Sequence, residues 1–166
     1  MAGELLDRMG EALTGLPATS RYDNPFEAAI NQLVRISGSV NEAARRIGVH
    51  PDSLRRYRRG ARRPKDGGRG IVAALRSSAI RPGMQAAVRN GSLGMSIRGD
   101  IVVSGDSRNR TIHPGRYIPG RTMDRIVTEW KKGDDAKAEK MLYNALDKYY
   151  VNGIQLDTIE KVEFVP

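Results

Sequence analysis

The run from Ser39 to Arg63 constrains this chain more than any other, because it leaves the backbone few choices. Ser39-Val40-Asn41-Glu42 has the form of a capping box. In it the Ser39 hydroxyl accepts from the third amide of the helix, and the Glu42 carboxylate reaches back to the Ser39 amide. Ala43-Ala44-Arg45-Arg46-Ile47 carries the helix on, and Gly48 supplies the left-handed residue that stops it. Val49-His50-Pro51-Asp52 starts a second helix, with Pro51 in a first turn, where the missing N–H would have had no partner. Leu54 and Tyr57 give that helix an inner edge, and Val49 is spaced to staple onto Leu54. Helix, glycine turn and helix within about 22 residues is the helix-turn-helix arrangement, whose second helix enters the DNA major groove.

Charge gathers on the same stretch. The net charge is +9, and residues 45–69 hold ten basic residues against two acids. Residues 1–44 hold three against six, and residues 70–166 fifteen against eleven. A focused surplus of this kind points to a polyanion partner. The absence of cysteine excludes disulfides, thiolate metal ligands and cysteine nucleophiles. No apolar run approaches the ~18 residues of a membrane span, so no membrane partner is expected. Glu4, Asp7 and Glu11 near the start do not suit a signal peptide. The expected location is the cytoplasm, on the nucleoid.

The expected fold class is α+β, with an N-terminal helical helix-turn-helix domain and then a small domain of a β-hairpin or small sheet and two amphipathic helices. Residues 1–23 read as an N-terminal arm or helix, with Leu5, Leu6, Met9 and Leu13 at helical spacing. The arm is either loosely attached or a dimerisation or partner helix. Residues 24–80 read as the DNA-binding domain. Asn24-Pro25 opens its supporting helix, and Ile71-Val72-Ala73-Ala74-Leu75 begins the helix that closes it. Between them, Gly60–Gly70 is glycine-rich and basic, and reads as a mobile arm or wing. Residues 81–96 read as a connector punctuated by Pro82-Gly83, Asn90-Gly91 and Gly94, with a helical turn or short helix over Met84–Arg89. In residues 97–166, Ile97–Ser104 predicts a strand, Gly105-Asp106-Ser107 a turn and Arg108–Ile118 a returning strand interrupted by His113-Pro114-Gly115. Helices follow over Thr122–Lys132 and Asp135–Tyr150, then a short strand at Ile154-Gln155-Leu156 and a final one through Ile159, Val162 and Phe164.

The recognition helix spans roughly Pro51–Arg59. Ser53, Arg55 and Arg56 are the expected contacts at or near base edges, since an arginine fork matches guanine O6 and N7. Arg59, Arg62 and Arg63 suit phosphates, as do Lys65 and Arg69 in the glycine-rich arm. His50 and Asp52 are within reach of bases or backbone, and of Arg45 and Arg46 at least one faces a phosphate. Enzyme patterns are weak. Asp100 and Asp106 could be offered as a two-carboxylate metal site, but a hairpin rim ordinarily bears such residues. His50 and His113 are the only histidines and accompany no nucleophile motif. Gly67-Gly68-Arg69-Gly70 lacks the spacing and the lysine-serine/threonine pair of a phosphate-binding loop. Neither a catalytic centre nor a cofactor nor a metal is expected.

From Gly38 to Tyr57, with Arg62-Arg63-Pro64 after it, the chain resembles the terminal proteins (Tpg type) that cap linear actinomycete chromosomes and plasmids. The likeness continues in order through Asp106-Ser107-Arg108-Asn109-Arg110, Leu146…Tyr149-Tyr150 and Ile159–Phe164, and covers about residues 28–166. It implies a protein that binds replicon ends, as duplex or folded single-stranded DNA. It implies further a hydroxyl that joins covalently to the 5′ end and primes a DNA polymerase, alone or with a telomere-associated protein. That hydroxyl is a threonine in the family, in the segment before the Asp-x-Arg-x-Arg pattern. Here Ile101–Ser107 holds no threonine; Ser104 and Ser107 stand nearest, with Thr111 close behind. The alternative is a transcriptional regulator that binds an operator as a homodimer through its C-terminal domain.

Overall fold

Apolar periodicity becomes an α+β arrangement of helices and one antiparallel sheet across residues 3–166, the part of the chain that this computed structural model describes. The first two residues of the expected 1–23 arm lie outside the described residues. The chain divides into two compact units. One holds residues 17–79 with 131–133; the other holds the chain up to Leu16, Ile80–Trp130 and Asp134–Pro166.

The first unit is helical. Helix α2, Pro25–Ser37, starts where Asn24 Oδ1 accepts from the Glu27 amide at 3.1 Å, and ends at Gly38, whose φ of 90° is left-handed. Helix α3, Val40–Ile47, starts where Ser39 Oγ accepts from the Glu42 amide at 3.1 Å. The second half of the expected capping box is replaced. The Glu42 carboxylate turns to Arg45 and Arg46, because two guanidiniums one helical turn away outcompete a neutral amide. Gly48 ends α3 with φ 72°, and α4, Pro51–Arg58, begins three residues later, after Val49 and His50. Helix α5, Arg69–Ala79, closes the unit. Ile30, Leu33, Ala43, Ala44 and Leu54 are fully buried, with Tyr57, Ile71 and Leu75 around them. Two consecutive alanines let α3 lie close to α2 and α4. Each large side chain buried here stabilises by roughly 1.5–3 kcal/mol.

In the second unit a three-stranded sheet has the order β2-β1-β3. Strand β1 is Gly94–Val103, β2 is Asp106–Ile112 and β3 is Gln155–Val165. The strands pair antiparallel, with Ile97 opposite Ile112 on one side and Val162 on the other. One face carries Met95, Ile97, Ile101, Ile159 and Val162, all buried in one core with α1 (Glu4–Thr14), α7 (Gly120–Lys131) and α8 (Asp135–Ala145). A short helix, α6 at Met84–Arg89, adds Val88 to that core.

Several expectations differ here. The N-terminal segment is no loose arm: Leu5, Leu6, Met9 and Leu13 are each at most 2% exposed and complete the sheet's core. Gly10 of α1 lies under the Trp130 ring, where an added Cβ would come within 2.9 Å of Cζ2. Residues 81–96 are no connector either, since Val88 and Met95 are buried and β1 already starts at Gly94. The hairpin turns at Ser104-Gly105 instead of Gly105–Ser107. Both turn residues have positive φ, 52° and 79°, the handedness that a two-residue hairpin loop needs to match strand twist. The returning strand stops at Ile112, at the expected interruption of His113-Pro114-Gly115, and Pro114–Arg116 forms a single 3-10 turn. Finally, the two expected C-terminal strands are one, β3, with register irregularities opposite Arg98/Gly99 and Asp100/Ile101. Helix α8 likewise stops at Ala145 and passes into a π turn over Leu146–Tyr150.

Candidate nucleic-acid interface

Leu54 is fully buried and Tyr57 is 9% exposed, so these two residues fix which way α4 faces. With 3.6 residues per turn, the opposite stripe falls on Asp52, Arg55, Arg56 and Arg59, and all four are exposed. Ser53 lies on the flank and is half-buried. His50 caps the helix: its Nδ1 accepts from the Asp52 amide at 3.2 Å. Pro51 then supplies a first turn with one fewer unpaired N–H. Arg55 Nη1 donates to Asp52 Oδ1 at 2.9 Å, an exposed i,i+3 pair. Such a pair is worth about 0–1 kcal/mol, so either partner is easily surrendered to a ligand.

Arg45 and Arg46 leave the end of α3 beside this face, both engaged by Glu42. The hydrogen bond from Arg45 holds the Glu42 carboxyl below its ordinary pKa, so it stays ionised and neutralises part of that corner. Arg62, Arg63 and Lys65 follow α4 in an exposed loop. The expected mobile arm has a fixed end: Asp66 accepts from the Gly70 amide at 2.8 Å and the Gly68 amide at 2.9 Å. These two bonds, Gly70 first, lower the Asp66 pKa and pin the loop to the start of α5. Arg69 opens α5, and its Nε donates to the Lys132 carbonyl at 3.2 Å.

One basic residue was not singled out from the sequence. Arg58 sits beside Leu54 on the other flank of α4, and its Nε donates to Asn31 Oδ1 of α2 at 2.8 Å. The signal was present in the helical spacing, which sets Arg58 at the edge of the buried face and within reach of a neighbouring helix.

The three candidate hydroxyls lie in the second unit and are exposed. Ser104 is at the tip of the β1–β2 hairpin. Ser107 and Thr111 lie opposite Val102 and Arg98, on the sheet face away from the core. Asn109 stands between them and donates to Asp100 at 3.0 Å and to Glu160 at 2.6 Å. The Asp-x-Arg-x-Arg pattern has a strand-period explanation. Residues 106, 108 and 110 share a face, and Asp106 Oδ2 meets Arg108 Nε at 2.8 Å and Arg110 Nη2 at 3.2 Å. Arg108, then Arg110, keep the Asp106 carboxyl below its usual pKa. Asp100 and Asp106 do not come together, because they sit on opposite faces of the sheet with different partners. Among the described residues no cluster of three or more metal-ligating side chains occurs, and no helix is long and apolar enough to cross a membrane.

No protein-family model, curated protein or solved structure matches the chain.

Proposed function

We propose that this chain is a duplex DNA-binding protein that reads sequence through α4. The observation that carries the reading is the outer stripe of that helix. Arg55, Arg56 and Arg59 fill the side opposite Leu54 and Tyr57, on a helix entered through a glycine turn from α3. Arg55 and Arg56 are the base-reading residues, with Asp52 orienting Arg55 until a base edge replaces it. Arg45, Arg46, Arg59, Arg62, Arg63 and Lys65 surround them as phosphate contacts.

Within that reading we take the role to be that of a telomere terminal protein, on the motif order from Gly38 to Phe164. The Ser104 hydroxyl is the favoured attachment point, because the tip of a two-residue hairpin reaches furthest from its own sheet. Ser104 Oγ would attack the α-phosphorus of a deoxynucleoside triphosphate, forming a phosphoester and releasing pyrophosphate, with the hydroxyl proton going to a base of the polymerase. Incubation with a labelled deoxynucleotide, DNA polymerase and a replicon-end template should label the protein. Ser104→Ala should abolish the label, while Ser107→Ala and Thr111→Ala retain it. A protein that takes no label, yet protects a two-fold symmetric internal site, is a dimeric regulator and not a primer.

A further inference from the structure

The basic loop after α4 does more than extend the charged face. It folds over the start of α2 and leaves a solvent-open cavity of about 350 Å³ between them. That volume lies within the roughly 300–1,000 Å³ range of small-ligand sites. Phe26 and Tyr57 line it, together with Arg58, Arg59, Arg62 and Arg63. Phe26 is only half-buried although it begins the apolar stripe of α2. Gly68 backs its ring so closely that a methyl there would lie 2.7 Å from Cε2. Asp66 accepts from the Gly68 amide behind the Phe26 ring, and Asn31 fixes Arg58, so the support of one aromatic wall and one cation of the cavity are both held. Glu27 also lines the site, leaving four guanidiniums against one carboxylate.

A paired duplex has no use for the aromatic part of such a site, because its base faces are stacked and only edges and phosphates are offered. An unpaired nucleotide uses both parts, its base against an aromatic ring and its phosphate against arginines. We propose that this cavity binds an unpaired nucleotide, with its base on Phe26 and Tyr57 and its phosphate on the arginines. The proposal rests on the DNA-binding reading and narrows it to DNA that carries an unpaired nucleotide beside the duplex. A free nucleoside triphosphate has the same chemistry and is the other source.

Photocrosslinking of the full chain tests this. The probes are a short duplex with 5-iododeoxyuridine in a 3′ overhang, the free 5-iododeoxyuridine triphosphate, and a blunt duplex with the same base paired. The overhang probe should crosslink to the peptide bearing Phe26 or Tyr57. Phe26→Leu should cut that yield about tenfold, the scale of one lost base–aromatic stack. Phe26→Tyr should keep it, and blunt-duplex affinity should be equal in all three proteins. Crosslinking at the same peptides by the triphosphate alone would assign the site to free nucleotides. Crosslinks elsewhere from both probes, or a yield that Phe26→Leu leaves unchanged, would overturn the proposal. Should the blunt duplex fail to bind while the overhang still marks Phe26 or Tyr57, the reading of α4 falls and the cavity assignment stands. Absence of binding by every probe would sink both.

Discussion

At the scale of single residues, the site is set by who holds each charge. Asp52 is the acid on an otherwise basic stripe, and it occupies Arg55. Asp52→Asn releases that arginine and removes one negative charge from the face. Binding to arbitrary duplex sequence should therefore strengthen, while discrimination between sequences falls; titrations on a preferred and a scrambled duplex read both. Asp66 is the other acid with a positional task. Its folded pKa is depressed, by the Gly70 and then the Gly68 amide, so its contribution is fully present above the unfolded carboxylate value of about 4. It disappears as pH falls through the lower folded value. Asp66→Ala should cost about 1 kcal/mol at neutral pH, the usual loss for a helix cap. Urea midpoints of parent and variant should converge as the solution is acidified.

At the scale of elements, helix α1 shows what a sequence stripe can and cannot say. Leu5, Leu6, Met9 and Leu13 are legible as one face of a helix, but a stripe announces only that something covers it. The cover is the sheet core shared with Trp130, more than a hundred residues away, and Gly10 makes the approach possible. Met9→Ala should accordingly cost about 2–5 kcal/mol, as for any fully buried large side chain, instead of the few tenths expected of a mobile arm. Thermal unfolding of the variant measures it. Strand β3 was hard to read for a different reason. Its register shifts break the two-residue alternation between Leu156 and Val162, so one long strand looks like two short ones. The hairpin turn lies ahead of its Gly-Asp-Ser signal because Ser104 takes a left-handed conformation that a serine does not advertise. The α3–α4 pair was legible almost to the residue, since a hydroxyl cap, a glycine stop and a first-turn proline each fix a backbone position locally.

For the whole molecule, the local motif and the charge distribution agree with each other in a way that neither could show alone. The positive surplus falls on residues 45–69, and the buried positions of Leu54 and Tyr57 turn Arg55, Arg56 and Arg59 outward. What escaped the sequence is long-range. The partition into two units follows contacts between distant segments, and the cavity beside Phe26 is lined by a loop reaching as far along the chain as Gly67. The central claim is that α4 reads base edges and the loop after it reads only phosphates. The most direct test is selection from a random duplex pool by the parent chain, Arg56→Ala and Arg62→Ala, each followed by a salt titration on the selected site. The parent should enrich a defined motif. Arg56→Ala should lose preference at one position of it, at a cost of about 1–3 kcal/mol. Arg62→Ala should enrich the same motif with weaker binding and a salt slope reduced by about one. A parent chain that enriches no motif, or a motif unchanged by both Arg55→Ala and Arg56→Ala, would contradict the account.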